Sequence, residues 1–395
     1  MTVHLPLQGI TVVSIEQAVA APFATRQLAD LGARVIKIER PDGGDFARGY
    51  DATVNGLSSY FVWLNRSKES LTLDLKRSDI RDLLARLIER ADVFVQNLAP
   101  GAAERLGVSA AVLRARHPRL IVCNVSGYGT SGPFAAKKAY DLLVQSEVGL
   151  LSITGTAESP ARVGISVADI AAGMYAYSGI LTALIARAAT GRGTTVDVSL
   201  FDALGEWMGY AAYFTGYSGS PPPRSGPHHA SIAPYGPVRA GDGGRVYVGI
   251  QNTREWSRFC NQVLEQPDLE QDPRFSTNSL RVRHRQALHD VIESAFSTLT
   301  TSAVVARLDA AQVAWARLNS VEEYLNHPQL SARDCWRDIG SPVGALRATV
   351  PPVRMEGVEP RMGDVPALGE HTAAILEELG VDRRVAAAWQ REGAV

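Results

Sequence analysis

Cysteine is scarce in this chain of 395 residues, and the three cysteines form no CxxC pair. Cys123, Cys260 and Cys335 lie far apart in the sequence, so the pattern indicates neither a disulfide framework nor a thiolate metal site. The sequence has no HExxH motif, and the neighbouring His228 and His229 cannot easily bind one ion together. We therefore expect a protein of the reducing cytoplasm without a metal centre.

An excess of charge of either sign is also missing, since 40 Lys and Arg residues stand against 41 Asp and Glu residues. Such a balance produces no field that attracts nucleic acid or an anionic membrane, although a local basic patch can still bind a phosphorylated small molecule. The hydrophobic fraction of 46% is that of an ordinary globular protein, and the length predicts two or three domains. Small polar substrates are thus expected, and nucleic acid is not.

The one long uncharged run, from Ile170 to Ala186, is at the short end for crossing a bilayer and contains two glycines. Residues Met1 to Leu5 lack the basic and apolar regions of a signal peptide. These features predict a buried helix, no signal peptide and no membrane partner.

Strand-like and helix-like segments alternate over the first 130 residues. The predicted strands are Ile10 to Ile15, Val35 to Ile38, Leu71 to Leu75, Val93 to Val95 and Leu120 to Val125, and the predicted helices between them are Ala20 to Leu31, Asp79 to Glu89 and Ala110 to Arg116. Apolar strands separated by amphipathic helices favour a parallel sheet covered on both faces. We therefore predict an α/β fold with a Rossmann-like sheet, which binds ligands at the carboxyl ends of its strands.

Domain boundaries are predicted from a change in composition. Two longer helices, Asp141 to Leu151 and Ile170 to Ala189, and a strand, Thr195 to Val198, precede a segment rich in proline and glycine from Ser218 to Gly244. We predict a large domain in residues 1–218, a smaller α/β domain in residues 219–328, and a C-terminal segment, residues 329–395, that returns to the large domain.

The segment Gly127-Tyr128-Gly129-Thr130-Ser131-Gly132 matches GxGxxG and follows a predicted strand. In a dinucleotide site the third glycine lies in the opening turn of a helix, whereas here Pro133 and Phe134 follow it. Two interpretations remain: a site for NAD or FAD, or a tight glycine loop near the active cleft.

Asp169 directly precedes the apolar run and is predicted to cap the helix that begins at Ile170. A carboxylate at a helix N-terminus is stabilised as the anion, and a partly desolvated carboxylate can act as a nucleophile. Neither a GxSxG motif nor an SxxK motif occurs, so the sequence does not indicate serine acyl transfer.

Motifs along nearly the whole chain resemble the class III CoA-transferase family, the CaiB/BaiF group that includes formyl-CoA transferase and α-methylacyl-CoA racemase. The matching segments include Pro6 to Ile10, Ala21 to Phe23, Leu31 to Glu39, Asn65 to Lys68, Leu73 to Lys76, Gly127 to Gly129, Ala168-Asp169, Gly191 to Gly193, Ser199 to Asp202, Ala233 to Tyr235, His327 to Leu330 and Leu368 to Thr372. The resemblance implies an interlocked, ring-like homodimer. It also implies coenzyme A as a substrate and no permanently bound cofactor.

The resemblance further implies roles for individual residues. Asp169 takes the position of the nucleophile, which forms a mixed anhydride and then an aspartyl-CoA thioester as CoA passes from an acyl-CoA to a small carboxylic acid. Backbone N–H groups at the start of its helix or in the Gly127 to Gly132 loop are candidate oxyanion donors. The implied CoA site consists of Val19, Ala20, Arg40, Leu73, Lys76, Asn97, Leu98, Arg105, Lys138, Tyr140 and Asp141.

Two departures from family patterns narrow the expected reaction. Ala139-Tyr140-Asp141 stands where racemases have Gly-His-Asp, and tyrosine is a poor replacement for the histidine base. Arg224 to Gly236 replaces the glycine run of formyl-CoA transferases. The sequence looks closer to enzymes that transfer CoA from succinyl-CoA to malate, citramalate, mesaconate, itaconate or glutarate.

Each of these dicarboxylic acids keeps one free carboxylate, which a cation or an imidazole must neutralise. The candidates for this contact are Arg66, Arg224, His228 and His229. Three alternatives remain: a racemase, a transferase acting on formyl-CoA and oxalate, and a CoA-binding scaffold without activity.

Overall fold

A parallel β-sheet organises the larger part of the computed structural model, which describes residues 4–395. Within this range, six strands pair in the order β3-β2-β1-β4-β5-β6, all of them parallel. The strands are β1 (Thr11–Ile15), β2 (Arg34–Glu39), β3 (Lys68–Thr72), β4 (Val93–Gln96), β5 (Ile121–Ser126) and β6 (Thr195–Ser199). This order is that of a doubly wound dinucleotide-binding fold, so the predicted α/β class and parallel sheet are confirmed.

Helices follow most of these strands. In chain order to residue 218 they are α1 (Ala20–Asp30), α2 (Ser59–Asn65), α3 (Ser78–Glu89), α4 (Ala102–Leu106), α5 (Ala110–Arg116), α6 (Asp141–Glu147), α7 (Leu150–Ile153), α8 (Val167–Thr190), α9 (Leu200–Trp207) and α10 (Gly209–Ser218). Gly149, with φ +81°, separates α6 from α7 inside the segment predicted as one helix. A left-handed backbone cannot continue an α-helix, so the predicted helix is divided there.

The remaining elements are shorter. They are β7 (Tyr235–Arg239), β8 (Arg245–Gly249), α11 (Thr253–Arg258), α12 (Asn278–Arg283), α13 (Arg285–Phe296), α14 (Thr301–Ala310), β9 (Ala314–Arg317), α15 (Val321–Leu325), α16 (Pro328–Ala332), β10 (Trp336–Ile339), β11 (Leu346–Thr349), α17 (Thr372–Glu378) and α18 (Arg383–Arg391). Strands β7, β8 and β9 form an antiparallel sheet, and β10 pairs with β11.

Backbone contacts group the described residues into two compact units. The first contains residues 4–148, 163–208 and 331–395, and the second contains residues 149–162 and 209–330. Residues 149–162, which were predicted to lie in the large domain, belong to the second unit. They are bonded to it, since Gly226 N–H donates to Gly155 C=O and Arg224 donates to the carbonyl groups of Thr156 and Ala157. The longer segment of the second unit, residues 209–330, also begins ten residues before the predicted boundary at residue 219.

The core of the first unit lies between the sheet and its helices. Val13, Ile36 and Phe94 of the strands pack with Leu84 of α3 and Ile375 of α17, all with at most 1% of their surface exposed. The C-terminal segment joins this core directly, since Ser70 N–H donates to His371 Nδ1 and His371 N–H donates to Ser70 C=O.

Helix α8 is the one helix in residues 4–395 that is long and apolar enough to cross a membrane. It begins at Val167, three residues before the predicted start, and Ala172, Ala176 and Ile180 are buried on one of its faces. On the opposite side of the helix, Ile185 is 73% exposed and Met174 is 39% exposed. The predicted buried helix is therefore only half-buried in this chain.

The second unit has its own core. Trp256, Phe259, Phe275 and Phe296 are fully buried and pack between helices α11 to α14 and strands β7 and β8. The unit therefore combines an antiparallel sheet with helices and is supported by an independent apolar cluster.

Candidate active site

Asp169 lies in the first turn of α8, at its third residue. Its carboxylate does not cap the helix, so the predicted capping role is wrong. The cap comes from Asp141 at the start of α6, whose Oδ1 accepts the N–H of Ala168 at 2.8 Å. Because the partner of this N–H group comes from another helix, the Asp169 side chain is not used to cap it.

The environment of Asp169 favours the protonated carboxyl group more than the sequence predicted. Burial, followed by the negative charge of Asp141, raises the pKa of Asp169 to about 7. The sequence analysis expected the helix dipole to keep the Asp169 carboxylate ionised. In the structure this carboxyl group instead titrates near neutral pH. A pKa near the working pH suits a group that alternates between nucleophile and leaving group.

Tyr50 is a neighbour of Asp169 that the sequence analysis missed. Burial raises the pKa of Tyr50, and the negative charges of Asp45 and Asp169 add to this effect. The Tyr50 ring packs edge-on against Tyr60, with 5.6 Å between the ring centroids. A tyrosine in a loop far from residue 169 has no local sequence signal, so the fold alone identifies it.

A cleft of about 670 Å³ opens at the carboxyl ends of β1, β2 and β3 in the same unit. Its walls include Ile15, Gln17, Ile38, Glu39, Arg40, Asp42, Leu73, Asp74, Leu75, Lys76, Arg81, Leu98, Leu106 and Gly393. Four predicted CoA residues, Arg40, Leu73, Lys76 and Leu98, are in this set. This is the edge of the sheet at which open α/β folds bind ligands.

The cations of the cleft are available to phosphate to different degrees. Arg40 is half exposed; it donates to the carbonyl group of Gly44 at 3.2 and 3.3 Å, and its Nε lies 4.0 Å from Asp42 Oδ1. Lys76 is exposed, and Arg81 donates to the carbonyl groups of Leu75 and Lys76. Arg105 is exposed but does not line the cleft, although its neighbour Leu106 does.

Three further CoA candidates lie in or beside the loop between β1 and α1. Val19 and Ala20 are each 3% exposed. The Asn97 side chain bonds to both backbone groups of Gln17, at 2.9 Å each, and Ala18 N–H donates to Asp45 at 2.9 Å. Asn97 therefore holds the loop, while Gln17 contributes to the cleft wall, a role that the sequence analysis did not assign.

The loop between β5 and α6 carries the remaining CoA candidates. Lys138 is exposed and Tyr140 is 70% exposed, whereas both carboxylate oxygens of Asp141 accept hydrogen bonds within the protein. The Gly127 Cα lies against Ala139, so that an added Cβ would approach the Ala139 Cβ within 2.2 Å. No helix begins at Gly132, so this loop lacks the helix N-terminus that a dinucleotide phosphate requires.

Two of the candidate oxyanion donors are already used. The N–H of Ala168 donates to Asp141, and the N–H of Gly129 donates to Ser126 Oγ at 3.1 Å.

Arg66 does not present its charge to a substrate. It is 2% exposed, and its guanidinium donates to both Asp30 oxygens at 2.8 and 2.7 Å. Arg26 binds the same carboxylate at 2.9 Å. The guanidinium of Arg66, directly after α2, forms a buried ion pair with Asp30 of α1. It is therefore not available for the predicted contact with a substrate carboxylate.

The other three substrate candidates lie in the second unit. Arg224 donates to the carbonyl groups of Thr156 and Ala157 at 2.8 Å each. His229 stacks on Tyr235, with ring centroids 5.2 Å apart. Burial lowers the pKa of His228, and His289 and Arg285 lower it further, which disfavours the charged imidazolium that would pair with a substrate carboxylate.

Arg285 is a cation of the second unit that the sequence analysis missed. Its Nη2 donates to His229 C=O at 2.6 Å, and its buried Nη1 has no hydrogen-bond partner among residues 4–395. Within the same range, no group of three His, Cys, Asp or Glu residues is arranged to hold a metal ion.

Comparisons with known proteins identify the family of this chain. Residues 7–372 match the sequence model of CoA-transferase family III. The chain is 33% identical to the succinate–glutarate CoA-transferase of Agrobacterium fabrum, an alignment that covers 96% of this chain and 97% of the relative. It is 35% identical to the acetyl-CoA:oxalate CoA-transferase of Acetobacter aceti, with coverage of 94% and 95%.

A solved structure gives the same result for the fold. The crystal structure of a CaiB/BaiF family protein from Brucella suis superposes on 95% of this chain and 100% of that chain, with a TM-score of 0.82 and 33% sequence identity. The match of the family model and the similarity of these proteins both extend over nearly the whole chain. The protein therefore belongs to CoA-transferase family III.

Proposed function

We propose that this enzyme transfers CoA from succinyl-CoA, or a related dicarboxylyl-CoA, to a dicarboxylic acid of four or five carbons, with Asp169 as the nucleophile. The observation that carries the proposal is the Asp169 carboxyl group, whose pKa is raised to about 7 by burial, in the same unit as a large cleft whose walls include three basic and three acidic side chains. The similarity to a succinate–glutarate CoA-transferase supports this choice of substrates.

The proposed reaction proceeds through two acyl exchanges on Asp169. An Asp169 oxygen attacks the thioester carbonyl carbon of the donor, the C–S bond breaks, and CoA leaves as the thiolate. The thiolate then attacks the aspartyl carbonyl carbon of the mixed anhydride, which releases the donor acid and leaves an aspartyl-CoA thioester. The acceptor carboxylate reverses both steps: it displaces the thiolate, which then attacks the acceptor acyl carbon and restores Asp169.

The covalent step is tested by incubating the protein with succinyl-CoA and measuring its intact mass. The native enzyme should gain an acyl or CoA adduct that peptide mapping places on Asp169, and Asp169→Ala should gain none while still binding CoA. Asp202→Asn is a matched control, because Asp202 also lies in the first turn of a helix but bonds to Ser199. Substantial transferase activity in Asp169→Ala would exclude the covalent route.

The choice of acid is tested with a panel of acceptors. With succinyl-CoA as donor, glutarate, mesaconate, itaconate, malate and citramalate should be converted faster than acetate or butyrate, because a site built for a free carboxylate loses that contact with monocarboxylic acids. Oxalate is the second candidate acceptor, favoured by the 35% identity to an acetyl-CoA:oxalate CoA-transferase. Preference for oxalate would select that activity, and turnover only with monocarboxylic acids would exclude both.

We further propose that the enzyme acts in the cytoplasm as an interlocked homodimer. Support for the dimer comes from α8, whose exposed side includes the apolar residues Met174 and Ile185. Exposed apolar side chains on a long helix are typical of a surface that another protein covers.

A further inference from the structure

Two side chains of α6 connect the residues on either side of the start of α8. Asp141 Oδ1 accepts the Ala168 N–H at 2.8 Å, and Asp141 Oδ2 accepts a hydrogen bond from Gln145 Nε2 at 2.7 Å. Gln145 is fully buried, and its Oε1 accepts the N–H of Val163 at 3.1 Å. The pair therefore binds the chain before the helix and the first turn of the helix itself.

The first turn of α8 depends on this connection. The initial N–H groups of a helix have no partner within the helix, and Ser166, at the cap position, makes no side-chain hydrogen bond to them. Ala168 is adjacent to Asp169, so the bond from Asp141 fixes the backbone directly beside the Asp169 side chain. Misplacement of a reacting group by about 1 Å can lower a rate a hundredfold.

Asp141 is also the negative charge that faces Asp169. Among the groups on neighbouring elements, Tyr50 interacts with Asp169, Asp30 of α1 faces Tyr177 further along α8, and Asp202 of α9 is bonded to Ser199. A substitution at residue 141 therefore changes the charge around Asp169 as well as its position.

We propose that Asp141 and Gln145 form a clamp that positions Asp169 for attack on the thioester, an inference that rests on the proposed role of Asp169 as nucleophile. Both are positioning residues, because they act through the backbone of α8. Asp141 contributes a hydrogen bond and a negative charge near Asp169, whereas Gln145 contributes hydrogen bonds alone. Variants of the two residues can therefore separate the effect of charge from the effect of position.

Rapid mixing of the full-length enzyme with succinyl-CoA, followed by intact-mass measurement across a range of pH, tests the clamp. Asp141→Asn keeps an oxygen for Ala168 but loses the negative charge, so the pH at which adduct formation is half-maximal should move to lower pH. Gln145→Met removes both amide contacts and keeps the charge, so the maximal rate should fall about tenfold without an acid shift. Asp382→Asn, which alters the cap of the distant helix α18, should change neither quantity.

Rates are divided by the folded fraction measured by circular dichroism, and Asp141→Glu, which keeps the charge, should lose rate without the acid shift. A general loss of stability would lower the rate of every variant. It would not produce a shift of the pH midpoint that is confined to Asp141→Asn. Native rates and midpoints in Asp141→Asn and Gln145→Met, with normal adduct formation on Asp169, would overturn the clamp and leave the proposed function intact. Absence of any adduct in the native enzyme would instead overturn the proposed function.

Discussion

At the scale of single residues, the basic side chains of the first unit fall into two groups. Arg40 and Lys76 reach solvent at the cleft, whereas Arg26 and Arg66 are buried around the Asp30 carboxylate. Sequence alone does not separate these groups, because Asp30 and Arg66 are far apart in the chain and come together only in the folded protein. Buried cations of the second group stabilise the structure and do not recruit anions.

The Asp30 carboxylate holds two buried guanidinium groups, so its removal should be more harmful than the removal of either arginine. We expect Asp30→Ala to lower the free energy of unfolding by about 3–5 kcal/mol, since it leaves two like charges unpaired. Arg66→Met should cost less, because Arg26 still pairs with Asp30. Urea unfolding of both variants checks the order, and equal losses would contradict it.

The pKa of Asp169 has a consequence for stability as well as for catalysis. The folded protein binds a proton on Asp169 up to about pH 7, whereas the ordinary value is 3.8. Between these values the unfolded chain binds fewer protons, so this group makes stability fall as the pH rises.

Asp169→Asn should therefore be more stable relative to the native enzyme at pH 8 than at pH 4, by about 3–4 kcal/mol. Denaturant unfolding at the two pH values measures the difference, with Asp382→Asn as the control. The same difference at both values would show that burial does not raise this pKa.

At the scale of whole elements, α1 packs closely against α8, the helix that carries Asp169. Gly173 lies at the crossing, and a Cβ at this position would stand 2.6 Å from Ala20 C=O and 3.0 Å from the Phe23 ring. The helices can approach this closely because residue 173 has no side chain.

Gly173→Ala should destabilise the protein by about 1–3 kcal/mol and reduce turnover, because overpacking forces α1 away from α8. Gly205→Ala is the matched control: this helical glycine has open space around it, and the substitution should stabilise α9 by about 0.5–1 kcal/mol. Thermal unfolding and steady-state kinetics compare the two variants. A stabilised, fully active Gly173→Ala would contradict the tight crossing.

Most regular elements of the sheet were predictable because their signals are local, but β3 (Lys68–Thr72) begins and ends three residues before the predicted strand Leu71 to Leu75. Helix α5 agrees with its prediction, and β4 differs by one residue, since apolar periodicity and flanking breakers lie within a few residues of each other. The start of α8 was not predictable, because its cap is supplied by Asp141 from another helix. The identity of Asp169 as a candidate depended on family resemblance, and its pKa depended on burial that only the fold creates.

At the scale of the whole molecule, the exposed apolar side of α8 favours an assembly. We expect light scattering to give twice the mass of one chain for the native enzyme. Ile185→Glu places a charge on a residue that is 73% exposed in the single chain, and it should increase the monomer fraction if a second copy covers that side.

Val385→Glu, on the exposed side of α18, is the control for a charge placed on an apolar surface residue and should leave the mass unchanged. A native enzyme with the mass of one chain at all concentrations would overturn the proposed homodimer.

The return of the C-terminal segment has a consequence for synthesis on the ribosome. Gly393 lines a cleft otherwise built from residues 15–106, and Asp74 N–H donates to Ala394 C=O at 2.7 Å. The walls from the early part of the chain can fold long before translation reaches these last residues. A growing polypeptide thus cannot complete the walls of this cleft until residues 393 and 394 have been synthesised and have left the ribosome.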